Sequence, residues 1–256
     1  MLRSLFSVIL TVAFTGFLRS QDESLPGGYE NGTNLNVLYR NDVSAKLYAH
    51  TRGYGFLFRQ GKHVNSKTRS FYEIDLQTLK HPKEVKTQGE AEHRRRFVYG
   101  KINSILLLRG AIGLQNVLFY KGDSKAVEVR YSYSIGPSLA FAKPYYVQVF
   151  KINSPTNNFH STLIRFDQEN FTQDSGRVTG RGSFADGLTE MKVYPAITGK
   201  FNLSFEYAPY TNLIRAIETG ITVDYFPKAL PIMARNPAEN LIVTLNVGFV
   251  FGRKWY

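Results

Sequence analysis

The chain contains no cysteine. That excludes disulfides, thiolate metal sites and an acylated lipoprotein anchor. It is uncommon for a eukaryotic secreted domain of this size, which would often carry disulfides. Beyond the first twenty residues there is no apolar run approaching the roughly 20 residues that a membrane-spanning helix needs. No HExxH or P-loop pattern occurs, and His50, His63, His81, His93 and His160 include no pair with zinc-ligand spacing. Acidic residues are also few: 20 Asp and Glu stand against 32 Lys and Arg, a net charge of +12. In a cytosolic protein that excess would point to nucleic acid.

The first segment argues for export instead, which sets nucleic acid aside as a partner. Met1-Leu2-Arg3-Ser4 is a short positive head, Leu5 to Phe17 is apolar or small, and Leu18-Arg19-Ser20 leads into polar Gln21-Asp22-Glu23-Ser24. Such a layout reads as a secretory signal peptide over residues 1–20, cleaved before Gln21. Residues 21–43, with Pro26-Gly27-Gly28 and Asn31-Gly32, read as a loose periplasmic lead-in. Three glycosylation-type triplets, at Asn31, Asn170 and Asn202, are of a kind common by chance.

From residue 44 onward the period is close to two. Val127, Val129, Tyr131, Tyr133 and Ile135 alternate with Glu128, Arg130, Ser132, Ser134 and Gly136. The same pattern occupies 69–78, 192–207, 214–226 and 240–252, with more interrupted stretches at 44–60 and 102–120 and a shorter one at 144–152. These make eight strands, an even number, as barrel closure with both termini on one side requires. The expected fold is all-β: an antiparallel up-and-down transmembrane β-barrel over 44–256, with one long extracellular loop at 153–189. On this count the 79–96 connection is long for the periplasmic side.

Aromatic residues are plentiful, with 16 Tyr and 19 Phe. Several gather near strand ends, among them Tyr207, Tyr210, Tyr225, Phe226, Phe249, Phe251, Trp255 and Tyr256, as interfacial girdles do. A lipid-facing apolar surface turns the polar face inward. Glu73, Asp75, Glu128, Glu206, Glu218 and Asp224 would then share the interior with Arg109, Arg130, Lys192 and Lys200, and one of Arg52 and Arg59 would join them. An eight-stranded barrel is only wide enough for its own side chains, so these should form a paired network that fills the lumen. A narrow porin or ion channel is the alternative.

Chemistry-bearing patterns are weak. His160-Ser161 could be imagined in a lipid-modifying outer-membrane enzyme, but adjacent residues rarely converge as base and nucleophile. No catalytic residue, cofactor or metal ligand is assigned. His93-Arg94-Arg95-Arg96 is the sharpest charge run, and Arg94, Arg95 and Arg96 are candidates for contact with anionic lipid or an acidic partner.

Several segments carry a family resemblance: His81-Pro82-Lys83-Glu84-Val85-Lys86, Phe97-Val98-Tyr99-Gly100-Lys101-Ile102-Asn103, Val127-Glu128-Val129-Arg130-Tyr131, Gly136-Pro137-Ser138-Leu139, Lys143-Pro144-Tyr145 and Pro231-Ile232-Met233-Ala234. In these the chain resembles small outer-membrane β-barrel proteins of the Bacteroidetes type. The resemblance implies an outer-membrane location in a Gram-negative cell and no known enzymatic activity. It departs at the end, where Gly252-Arg253-Lys254-Trp255-Tyr256 runs past the usual terminal aromatic. The functional expectation is a structural or interaction barrel, an accessory subunit of a larger cell-envelope complex, with outer-membrane lipid and envelope proteins as partners.

Overall fold

The computed structural model describes residues 40–65, 67–87, 96–120, 126–153, 158–165, 178–207, 212–234 and 236–256. The leader expected at 1–20, all but the last residues of the expected lead-in, and Arg94 and Arg95 lie outside them.

Eight strands close into an antiparallel barrel: β1 (Asn41–His50), β2 (Gly53–His63), β3 (Thr68–Leu79), β6 (Asn103–Phe119), β7 (Glu128–Pro144), β11 (Lys192–Glu206), β12 (Leu213–Leu230) and β13 (Glu239–Trp255). Each pairs with the next barrel strand along the chain, and β13 returns to β1 through pairs from Asn41–Trp255 to His50–Asn246. The topology is therefore up-and-down. The alternating residues need this closure, because it leaves no strand edge unpaired.

Register fixes the barrel's shape. Followed from Asp42 through Gly61, Phe71, Gly113, Ser134, Lys200, Thr222 and Thr244, it re-enters the first strand's line at position 52, ten residues beyond its start. With ordinary strand spacing and rise, that stagger tilts the strands by roughly 40°.

Eight strands were expected and eight are present, but two assignments change. The 44–60 stretch is two strands, β1 and β2, joined at Thr51-Arg52. Gly53 makes the tight connection possible: its φ is 152°, and a Cβ there would lie 2.5 Å from the Thr78 carbonyl oxygen. Gly55 makes room for the Tyr48 ring on the neighbouring strand. The 144–152 stretch leaves the barrel. Its β8 (Tyr146–Asn153) is the central strand of a separate sheet, between β9 (Asn158–Arg165) and β10 (Val178–Arg181). Asn41–Val43, read as lead-in, belong to β1.

The corrected count redistributes the connections. At the end bearing the first and last strand termini they are short, at 64–67, 120–127 and 207–212. At the far end lie the 51–52 turn and the connections 80–102, 145–191 and 231–238. The long 80–102 segment thus moves to the same end as the long 145–191 segment. It carries the small pair β4 (Lys86–Thr87) and β5 (Phe97–Val98).

These far-end connections pack on one another. Ile102 N–H donates to the Ile232 carbonyl (3.0 Å), Tyr145 N–H to Ile102 (2.8 Å) and Ala234 N–H to Gly100 (2.7 Å). Ile102, Tyr145, Val147, Val149 and Ala234 form a small core, and the Tyr145 hydroxyl accepts the Val98 N–H at 3.1 Å. Burial holds the Lys101 ammonium in this cap below its ordinary value, partly countered by the Glu84 carboxylate at 2.7 Å.

Candidate functional site

The lumen has two parts of opposite character. Toward the far end it is apolar: Leu79, Ile105, Leu107, Ala140, Ala142, Tyr194, Ala196, Phe226, Leu230, Ile232 and Ile242 make one buried cluster. Ile232 comes from the 231–238 connection, so the cap and the apolar end of the lumen are continuous.

The middle of the lumen is ionic, and its charges alternate in sign along one chain of contacts. Lys46 Nζ meets Glu218 at 2.9 Å, and Glu218 meets Arg59 at 2.9 Å. Arg59 also grips Glu73 (3.0 Å), which meets Lys200 (3.1 Å); Lys200 meets Asp75 (2.7 Å). Asp75 then meets Arg109 (3.0 Å), and Arg109 takes Asp224 through two nitrogens at 2.9 and 2.5 Å. Neutral groups occupy remaining lone pairs. The Tyr48 hydroxyl donates to Asp75, Thr198 to Asp224 and Ser134 to Glu73. The Arg59 guanidinium also lies 4.6 Å from the centre of the Phe71 ring.

Toward the terminal end a second tier pairs Asp42 with Arg69 (2.7 Å), Glu128 with Arg130 (2.7 Å), Arg130 with Glu206 (3.1 Å) and Glu206 with Lys254 (2.7 Å). Across both tiers seven cations (Lys46, Arg59, Arg69, Arg109, Arg130, Lys200, Lys254) face seven carboxylates (Asp42, Glu73, Asp75, Glu128, Glu206, Glu218, Asp224). A buried ion is tolerated only when paired and hydrogen-bonded, and an equal count is what a closed, poorly hydrated interior requires. From the terminal tier upward the satisfaction is incomplete. Asp42 Oδ1, Arg69 Nε, Gln115 Oε1 and Ser132 Oγ are buried without a hydrogen-bond partner, and Arg69, Gln115 and Ser132 are successive partners across β3, β6 and β7.

Of the residues assigned from sequence to the interior network, the structure brings together Glu73, Asp75, Arg109, Glu128, Arg130, Lys200, Glu206, Glu218 and Asp224. Lys192 is not among them. It is exposed at the far end of β11 and has no ion pair among the described residues. Lys192 is the first residue of β11, at the rim of the apolar end of the lumen, where the neighbouring inward residues Ala142 and Tyr194 offer no carboxylate to pair with a cation. Of Arg52 and Arg59, Arg59 enters, while Arg52 pairs with Glu239 at the far rim.

Asp42, Lys46, Tyr48, Arg69 and Lys254 were not assigned. Their signal was present: in β1, Asp42, Ser44, Lys46 and Tyr48 alternate with Val43, Ala45, Leu47 and Ala49. Reading 44–60 as one strand left its parity unsettled across the hidden turn. Arg69 shares the odd parity of Glu73 and Asp75, and Lys254 lies beyond the expected end of the last strand. Arg96 is exposed just before β5. His160 and Ser161 are successive residues of β9, outside the barrel. Among the described residues no cluster of three or more His, Asp or Glu could hold a metal ion.

No family model matches the chain, and no curated protein does. Solved structures with some likeness include Neisserial surface protein A, at 8% identity and a TM-score of 0.41, covering 85% of this chain and 97% of that one. The N-terminal β-barrel domain of Pseudomonas aeruginosa OprF has 8% identity and a TM-score of 0.39, covering 84% and 99%. Ail, the attachment invasion locus protein of Yersinia pestis, has 10% identity and a TM-score of 0.40, covering 84% and 98%. Likeness at that level says nothing about activity.

Proposed function

We propose that this chain is an integral outer-membrane barrel of a Gram-negative envelope, non-enzymatic, with a structural or interaction role. The observation that carries the reading is its inverted polarity. Paired charges fill the middle and terminal parts of the interior, while the outer wall is apolar: Leu47 is 61% exposed, Ile74 55%, Ile135 62%, Leu245 54% and Phe249 53%. A wall-wide apolar surface far exceeds what a soluble monomer leaves to water. Only helices and closed barrels satisfy their backbone in lipid, and no helix among the described residues is long and apolar enough to cross. The connections at the terminal end are all short, and the two long ones, 80–102 and 145–191, share the far end with the 51–52 turn and 231–238, as periplasmic turns and extracellular loops would be arranged. Export through the leader at 1–20, and the lineage suggested by the family resemblance, belong to the same proposal.

Paired charges and the apolar end fill the lumen, which turns attention to the cap built from the described parts of 80–102, 145–191 and 231–238. We read the cap as the surface that engages other envelope components, with the protein serving as an accessory subunit. Fractionation with heat-modifiable gel mobility tests the barrel: it should sediment with the outer membrane and shift on boiling, and a soluble, non-shifting protein overturns the reading. Affinity purification from native membranes tests the role, and recovery only as a lone monomer counts against it. A narrow channel is the second reading, favoured by the buried polar atoms left without partners in and above the terminal tier. Steady conductance in planar bilayers that vanishes in Glu128→Gln or Arg130→Gln would support that alternative.

A further inference from the structure

At the terminal end, three outward columns of the wall finish on cations. Tyr54, Phe56, Phe58 and Gln60 lead down β2 to Lys62; Ile221, Thr219 and Ile217 lead to Arg215 on β12; Val247, Phe249 and Phe251 lead to Arg253 on β13. All three cations are exposed, and none has an ion pair among the described residues. With the barrel's stagger of ten over eight strands, residues on one level shift by about one position per strand, and Lys62, Arg253 and Arg215 fall on a common level. They form an arc over β12, β13, β1 and β2. The outward columns of β3, β6, β7 and β11 end instead on neutral residues, such as Thr68, Leu118, Val129 and Phe205. The carboxylates at this end, Asp42, Glu128 and Glu206, are engaged inside the lumen.

Above the arc the wall is grooved. Beyond Asn41 the outward residues of β1 are small or aliphatic: Val43, Ala45, Leu47 and Ala49. On both sides stand larger ones. Ala45 is paired with Phe58 on β2 and Phe251 on β13, Leu47 with Phe56 and Phe249, and Ala49 with Tyr54 and Val247. The low point is Ala45, between Phe58 and Phe251; Leu47, 61% exposed, rises beyond it, so an acyl chain would bend around Leu47 after crossing Ala45 and Val43, and the lower end opens between Lys62 and Arg253.

We propose that this seam seats one anionic phospholipid: its phosphate lies on Lys62, Arg253 and Arg215, and one acyl chain lies along β1. The inference rests on the membrane reading above and adds the lipid class and the place. Phosphate is the common chemistry of a lipid head group and of free phosphate, but only the lipid uses the groove.

The test is native mass spectrometry of the full chain folded in detergent micelles, titrated with phosphatidylglycerol, phosphatidylcholine or inorganic phosphate. Phosphatidylglycerol should bind about tenfold or more tightly than phosphatidylcholine, given the pull of three cations on an anionic head group. Lys62→Gln/Arg215→Gln/Arg253→Gln should abolish that preference. Ala45→Phe, which fills the floor without changing charge, should weaken both lipids. Excess inorganic phosphate should displace neither. Equal binding of the two lipids, a preference surviving in the triple variant, displacement of lipid by free phosphate, or a lipid-free dimer covering the seam would each overturn the proposal. Heat-modifiable mobility is read on every sample, so a chain that forms no barrel counts against the membrane reading and is told apart from a barrel without lipid preference.

Discussion

The two halves of the lumen fill the same cylinder by opposite means. In the ionic half every charge but Glu128, which meets Arg130 on its own strand, is held by a partner from another strand, so Arg59 on β2 bridges Glu73 on β3 and Glu218 on β12. In the far half, Leu107, Phe226 and Ile242 exclude solvent with no directional demand. Their failures should differ. Removing one member of a buried ion pair strands a charge, whereas removing a methyl group leaves a cavity that neighbours partly close.

The sharpest break should come from Arg59→Met, which leaves Glu73 and Glu218 without their shared guanidinium. We expect a loss of about 3–5 kcal/mol, measured as a lower urea midpoint for unfolding from micelles. Fluorescence of Trp255, the single tryptophan, and gel mobility both report it. Leu107→Ala in the far half should cost about 2–5 kcal/mol. Paired with Phe226→Ala it should be closer to additive than charge pairs are, provided the two cavities do not merge.

The comparison sharpens at Asp42 and Arg69, joined by one bond at 2.7 Å. Arg69→Met alone should destabilise by about 3 kcal/mol, and adding Asp42→Asn should restore a good part of that loss, because no charge then remains unpaired. Equal losses from single and double variants would show that this pair contributes through packing. The smallest effect is expected at Lys192→Gln. An exposed cation without an ion pair among the described residues should leave stability within about 0.5 kcal/mol.

Much of this arrangement was legible along the chain. Alternation in 127–136, 192–206 and 241–251 gave the faces of β7, β11 and β13 because side chains in a strand point to opposite sides in turn. Turns were harder. Thr51-Arg52 is a two-residue connection without the Asn-Gly or Asp-Gly signature of tight hairpins, so β1 and β2 looked like one strand. β8 alternates well enough to resemble a wall strand, yet its partners are β9 and β10, a choice no local pattern encodes. The expected count of eight held because these two errors offset each other.

By itself the amino-acid sequence determined that this chain forms alternating strands and which side of most strands is polar, because a period of two is a local property of the backbone. Which carboxylate meets which cation was decided only by the closed barrel. Glu218 lies 172 residues from Lys46 and 159 from Arg59 along the chain, yet it bonds to both. Their meeting depends on stagger, tilt and the closure of β13 on β1. Those are global quantities that fix the height of every residue in the wall, and no short stretch of sequence carries them.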